Sequence, residues 1–277
     1  MVSDTEFNSN EEIELQLLLE AIYLKYGYDF RSYSKAHLKR RLISRKARLG
    51  LNSVSEMIHL VLSNNDFFHQ ILTDLSVNVT EMFRDPDFYK VIRHEIIPVL
   101  KTYPFIKIWH AGCATGEEVY SMAIILKEEG LLERSTLYAT DFNQIALGKA
   151  SEGIYPLDKM KLYTENYYKA QGKASFCDYF TVSYGSAIFE KDLKKNVIFS
   201  DHNLVTDGVF GEMNMIICRN VLIYFNQQLQ NHVHQLFLES LLPGGFICLG
   251  SKESLLLTEY QEYYTQIDKH SVFKKNY

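Results

Sequence analysis

Cysteine is scarce in this chain of 277 residues. The four, Cys113, Cys177, Cys218 and Cys248, lie far apart, with no C-x-x-C pair. Neither a disulfide framework nor a metal site is expected, and buried free thiols are the plain alternative. Long apolar runs are also missing. None approaches the ~18–20 residues that a membrane-spanning helix needs, so no direct membrane insertion is expected. An excess of positive charge is absent too: Lys+Arg total 29 against Asp+Glu 34, a net of −5. A globally basic nucleic-acid binder is therefore not expected, although a local basic patch remains open. The first residues, MVSDTEFNSNEE, have neither the basic start nor the apolar core of a signal peptide. What is present is ordinary: 47% hydrophobic and 23% charged residues. That composition excludes disorder and collagen-like architectures and leads to the expectation of a soluble cytoplasmic protein.

Charge is uneven along the chain. Residues 1–20 hold six acids and no base; residues 31–50 hold eight bases and no acid. Both stretches have helical periodicity, with Ile13, Leu17 and Leu18 in the first and Leu38, Leu42 and Leu49 in the second. Helix starts are expected at Asn52-Ser53 and at Asn65-Asp66. Residues 1–90 thus read as a small all-α domain. After Pro104 the pattern changes. Ile106–Ala111, Leu137–Asp141, Val197–Ser200, Met213–Cys218 and Phe246–Gly250 read as strands, with helices over Val119–Ile125, Gln144–Ala150 and Gln227–Leu242. Alternating strands and helices predict an α/β domain with a mostly parallel sheet over 91–277. Residues 154–195, rich in Tyr and Lys, fit neither period and read as an inserted subdomain.

Four polar segments fall where such a sheet would place a ligand. Gly112-Cys-Ala-Thr-Gly116-Glu-Glu118 follows the first strand. Gly112 and Gly116 let the backbone turn sharply and approach a ligand, and the helix behind offers free N–H groups. Asp141 ends the second strand 25 residues beyond Gly116, near the ~20-residue spacing at which an acid accepts both hydroxyls of a ribose. The loop lacks the third glycine of a dinucleotide motif and has no P-loop Lys, so a ligand without a phosphate is favoured. Asp201-His-Asn203-Leu204 and Arg219-Asn220 end two further strands. Asn78-Val-Thr80-Glu-Met-Phe-Arg84 precedes the sheet and offers amide, hydroxyl and guanidinium groups. Each segment alone could be a turn or a helix cap.

Together, N-V-T-E-M-F-R, A-T-G-E-E-V-Y-S, A-T-D, H-N-L and C-R-N-V-L-I-Y-F occur in the order and approximate spacing of the CheR family. The chain resembles those chemotaxis-receptor glutamate O-methyltransferases over nearly its whole length. The resemblance implies a Rossmann-like S-adenosylmethionine-dependent methyltransferase domain, preceded by a small all-α domain and carrying a small inserted β-subdomain. It implies cofactor contacts at Asn78, Thr80, Arg84, Gly112, Glu118, Asp141, Asn203, Leu204, Arg219 and Asn220. Glu117, adjacent to Glu118, stays open as an alternative. The family's catalytic pair matches Arg84 and Tyr224, S-adenosylhomocysteine is the implied product, and no metal is implied. The insertion grips a receptor peptide by strand addition in some members.

The implied partner is the acidic helical cytoplasmic region of chemoreceptors, docked on the basic helix through Lys39, Arg41, Arg45 and Arg48. The competing view of those bases is a solvated face flanking a core stripe. A monomer without nucleic acid is expected. Other outcomes are a methyltransferase for RNA or a small acid, one serving a chemotaxis-like pathway with a non-motility output, or a non-catalytic cofactor-binding regulator. Intact Arg84, Asp141 and Tyr224 weigh against loss of activity.

Overall fold

The computed structural model describes residues 9–76, 79–256 and 258–277. They form two compact units: one from the described part of 1–77 together with 224–230, the other from 79–223 and the described part of 231–277. Among the described residues no helix is long and apolar enough to cross a membrane.

The first unit is built on α1 (Ser9–Tyr26), α2 (Lys35–Leu49), α3 (Ser55–Ser63) and α4 (Asn65–Leu75). Gly50, at φ 66°, closes α2 by donating to the carbonyls of Ala47 and Lys46. The Asn64 side chain caps α4 by accepting from the Phe67 N–H. Leu18, Ile22, Leu38, Leu42, Met57, Val61 and Ile71 fill the core. Two apolar positions of the expected α1 stripe do not. Ile13 and Leu17 are 56% and 53% exposed, whereas Leu18 is buried as expected, together with Leu15, Leu19 and Ile22. The run L-Q-L-L-L-E-A-I is apolar on several arcs of the wheel, so its periodicity does not choose a face. Leu49, in the last turn of α2, is exposed as well.

The second unit contains α5 (Pro86–Val91), α6 (Ile97–Leu100), α7 (Glu117–Glu128), α8 (Gln144–Glu152), α9 (Met160–Lys169) and α10 (Lys191–Lys194). Helix α11 (Gln227–Ser240) follows in the chain. The strands of the second unit among the described residues are, in chain order, β1 (Ile106–Ala111), β2 (Ser135–Asp141), β3 (Ile154–Pro156), β4 (Phe180–Ser183), β5 (Ser186–Phe189), β6 (Val197–Asp201), β7 (Met213–Cys218), β8 (Leu241–Leu249), β9 (Tyr264–Asp268) and β10 (Val272–Lys275). Seven form one sheet in the order β6-β2-β1-β7-β8-β10-β9. The first five of that order run parallel, and β10 is antiparallel to both neighbours. The fold class is the expected α/β one. Because the chain leaves β1 toward β2 and later returns to its other side as β7, the strand order reverses at β1. That places a crevice at the carboxyl ends of β1, β2 and β7.

The insertion forms a three-stranded antiparallel sheet, β3-β5-β4. Tyr184 and Gly185, at φ 47° and 73°, join β4 to β5; positive φ at both positions is what a two-residue type I′ hairpin requires. The buried Glu128 carboxylate ties this subdomain down. It accepts from Arg93 at 2.5 Å, Tyr179 at 3.0 Å and the Lys173 N–H at 2.9 Å, and from the Tyr167 hydroxyl.

Candidate functional site

The turn after β1 is shaped by backbone conformations that side chains disfavour. Gly112, Ala114 and Gly116 all have positive φ. A Cβ at Gly112 would come within 2.6 Å of Val221, so the backbone passes too close for any side chain. Gly112 and Cys113 both donate to the Thr140 carbonyl at 2.9 Å, which fastens this turn to the end of β2. Asp141 lies one residue further. Its Oδ2 accepts from the Ala114 N–H and its Oδ1 from the Asn143 N–H, each at 2.9 Å. The Phe142 N–H is a third backbone donor to this carboxylate; two carboxylate oxygens can accept about four hydrogen bonds, so some acceptor capacity remains beyond the backbone's use. Burial raises the Asp141 pKa to about 6 although backbone N–H groups oppose it, and Asp201 adds to the rise.

Glu118, in the first turn of α7, faces a line of polar side chains. Its Oε1 lies 3.1 Å from His110 Nδ1 and its Oε2 accepts from Arg219 at 3.3 Å. Arg219 in turn reaches Asp85 at 2.5 Å and the Arg84 carbonyl at 3.3 Å, with its guanidinium carbon 4.1 Å from the Phe88 ring centroid. Burial alone would raise the Glu118 carboxyl; the His110 hydrogen bond and the Arg219 charge outweigh it and hold the pKa below the ordinary range. His110 Nε2 and Arg219 Nε are buried with no protein partner, an arrangement expected beside a polar ligand rather than in a finished core. Glu117 has a different setting. It is 1% exposed, accepts from Thr115 at 2.6 Å and Tyr163 at 3.3 Å, and has Lys159 3.7 Å away.

Arg84 sits between two residues in the left-handed region, Phe83 at φ 52° and Asp85 at φ 57°. Non-glycine residues held there store about 1 kcal/mol or more each. Ser121 accepts from the Phe83 N–H at 2.9 Å, and Tyr89 and Tyr167 enclose the Phe83 ring. The half-buried Arg84 donates to the Val79 carbonyl at 3.2 Å, and Thr80 is half-buried beside it in sequence. Asn78 lies outside the described residues. At the end of β6, the Asn203 side chain accepts from the Val205 N–H at 3.0 Å and shapes the turn that buries Leu204.

One acid of this edge carries no motif signal. Glu253, 6% exposed, lies beyond β8. Its Oε2 accepts from the N–H groups of Asn220 at 2.8 Å and Gly250 at 2.6 Å; its Oε1 accepts from Val221 at 2.8 Å and Ile223 at 3.3 Å. A single carboxylate therefore sets the backbone that follows Arg219, including the positive φ of Asn220.

Tyr224 is described within the helical unit. Its carbonyl accepts from the Ser34 N–H at 2.7 Å. In the same unit, three of the basic residues singled out on α2 meet one acid. Arg45 and Arg48 both pair with the Asp74 carboxylate, and Arg41 donates to the Asp74 carbonyl at 3.0 Å. Lys39 is half-buried, whereas Lys35 and Arg40 are exposed. The pair of Arg45 and Asp74 is mostly buried, with side chains 13% and 17% exposed. Asp74→Ala is expected to destabilise the helical unit by about 1–2 kcal/mol. Chemical denaturation followed by circular dichroism would show this as a lower midpoint; an unchanged midpoint would contradict it.

Residues 78–272 match the family model described as CheR methyltransferase, SAM binding domain, and residues 13–76 match CheR methyltransferase, all-alpha domain. A protein of Pseudomonas putida, named as a proposed methyltransferase, Cher3, is 49% identical; the match covers 96% of this chain and 98% of that one. The chemotaxis protein methyltransferase of Vibrio anguillarum is 32% identical over 80% of this chain and 82% of its own. That of Borreliella burgdorferi is 27% identical, with 99% of both chains covered. The four strand ends described above all fall inside the matched SAM-binding region, and this chain belongs to the CheR family of S-adenosylmethionine-dependent methyltransferases.

Proposed function

We propose that the chain methylates glutamate side-chain carboxylates of methyl-accepting chemotaxis receptors, giving glutamyl methyl esters and S-adenosylhomocysteine. The observation that carries the reading is the carboxyl edge itself. A buried carboxylate with acceptor capacity to spare, Asp141, stands beside a glycine turn with no phosphate-binding signature. That suits a nucleoside held through its ribose hydroxyls. The unpartnered Arg219 Nε and His110 Nε2 fit a further polar group of the same ligand. The substrate class is supported by relatives named chemotaxis protein methyltransferase.

In this reading Asp141 holds the ribose, Asn203 and Leu204 flank the adenine, Glu118, Arg219 and Asn220 line the methionine end, and Thr80 is a further cofactor contact. When bound, S-adenosylmethionine supplies a methyl group on a sulfonium, open to attack by an anion. A glutamate side chain has a pKa near ~4.3 and is already ionised at neutral pH, so the chain need supply no general base. Opposite charges neutralise along the path, and dispersing charge is favoured where water is kept out. The residues' task is alignment, with oxygen and methyl about 3–3.5 Å apart and in line. Arg84 and Tyr224 orient the acceptor carboxylate. Too strong a salt bridge from Arg84 would stabilise the ground state and slow transfer. Lys39, Arg41, Arg45 and Arg48 supply the positive field that attracts an acidic receptor helix, with marked salt dependence.

Incubation of the protein with tritiated S-adenosylmethionine and receptor-bearing membranes, followed by alkaline treatment, tests this. Volatile counts, released as methanol, are expected. Base-stable counts would point to a different acceptor, and absence of counts with retained cofactor binding to a regulator. In the same assay Tyr224→Phe is expected to lower turnover about tenfold or more while changing S-adenosylhomocysteine affinity less than about twofold. Equal losses in turnover and affinity would contradict the orienting role.

A further inference from the structure

The start of the basic helix α2 does more than carry charge. Residues 33 and 225 form a β-bridge, and their rings meet edge-on with centroids 4.9 Å apart. The Asn226 N–H donates to the Ser32 carbonyl at 3.0 Å, so the segment around Tyr224 is fastened on both sides. One helical turn beyond Ser34, the ring of His37 lies 4.4 Å from the ring of Tyr224, tilted by 50°. The His37 ring is itself fixed. Its Nε2 accepts from Arg41 Nε at 2.9 Å, and the other arm of Arg41 is anchored on the Asp74 carbonyl. An imidazole that accepts at Nε2 carries its proton on Nδ1 and is uncharged. Burial, then the charges of Arg41 and Arg40, push the His37 pKa down to about 4, which keeps that form at neutral pH. The ring therefore meets Tyr224 as a neutral aromatic surface whose orientation is set by a guanidinium.

We infer that His37 is a positioning residue for Tyr224, held in place by Arg41, so that one helix both attracts the acidic receptor and sets the tyrosine. The inference rests on the role proposed above for Tyr224.

The test compares His37→Ala and His37→Phe with the unaltered full-length protein, using receptor-bearing membranes and tritiated S-adenosylmethionine. His37→Ala is expected to lower kcat about fivefold, with receptor KM and S-adenosylhomocysteine affinity within about twofold. His37→Phe restores a ring without the Arg41 bond and is expected to recover at least half of that loss. Unchanged kcat in His37→Ala would overturn the inference. So would a loss confined to KM or cofactor affinity, or a His37→Phe variant that folds but does no better than His37→Ala. If the unaltered protein yields no volatile counts, the receptor-methylation reading fails and this inference with it. Activity in the unaltered protein with indifferent His37 variants defeats this inference alone.

Discussion

Glu253→Ala is expected to lower stability by about 3–5 kcal/mol, the largest single-residue effect foreseen here. The carboxylate accepts from four backbone N–H groups, those of Asn220, Val221, Ile223 and Gly250. Alanine leaves all four without their acceptor, and each buried unsatisfied donor costs about 1–3 kcal/mol. Relaxation and entering water recover part of the sum, since the loops lie at the edge of the sheet. Glutamine at the same position separates two effects. It removes a buried charge, which favours folding, because burial raises this carboxyl above its usual range despite the N–H groups around it. It also turns an NH₂ toward N–H donors, which opposes folding. The sign of the linkage agrees: the contribution of a raised carboxyl is complete below its unfolded pKa and is lost as pH rises through the folded one. Glu253→Gln should therefore cost about 1–2 kcal/mol, less than alanine. Urea denaturation of both variants checks the order. S-adenosylhomocysteine titration should show weaker binding in each, because the same carboxylate sets the backbone behind Arg219. A Glu253→Ala protein as stable as the parent would refute the clamp.

What the sequence revealed and what it hid follow from sequence distance. Strands β1, β2, β6 and β7 were legible because each is a short apolar run ending in polar residues, and those endings carry the site. Glu253 was not legible. It stands in G-S-K-E-S, which has no period, and three of its partners lie 30–33 residues earlier. His110 was hidden for a different reason. A histidine near the end of a buried strand reads as core, and only the fold sets it against Glu118. The choice between Glu117 and Glu118 could not be made from adjacent positions. About 100° apart on a helix, they face different neighbours: Thr115 and Tyr163 for one, His110 and Arg219 for the other. On α2 the wheel placed Arg41, Arg45 and Arg48 along one flank correctly. It could not show that Asp74, on another helix, gathers all three. The insertion escaped pattern reading because its strands are three or four residues long, too short for alternation to show.

Asp141→Ala is expected to weaken S-adenosylhomocysteine binding by about ten- to a hundredfold, the effect of losing hydrogen bonds to a charged acceptor worth about 1.5–3 kcal/mol. The pH dependence gives a second, independent readout. Burial raises this carboxyl from the ordinary 3.8 to about 6. Its contribution to folding is therefore complete below pH 3.8, declines as pH rises through about 6, and is absent at neutral pH. The unliganded protein thus carries a buried charge at pH 7 that folding disfavours by about 2–3 kcal/mol. A ligand whose hydroxyls donate to that anion relieves it. Two opposite trends follow. Cofactor affinity should fall as pH drops through 6, about tenfold for each further unit if only the anion binds. Asp141→Asn should weaken binding while changing the melting temperature of the unliganded protein little, since shedding the buried charge offsets the NH₂ turned toward the Ala114 or Asn143 N–H. Calorimetric titration between pH 5 and 8, alongside thermal melts of both variants, measures each trend. If affinity is flat across that range, or if Asp141→Asn melts lower yet binds normally, Asp141 is a turn-former and the ribose is held elsewhere.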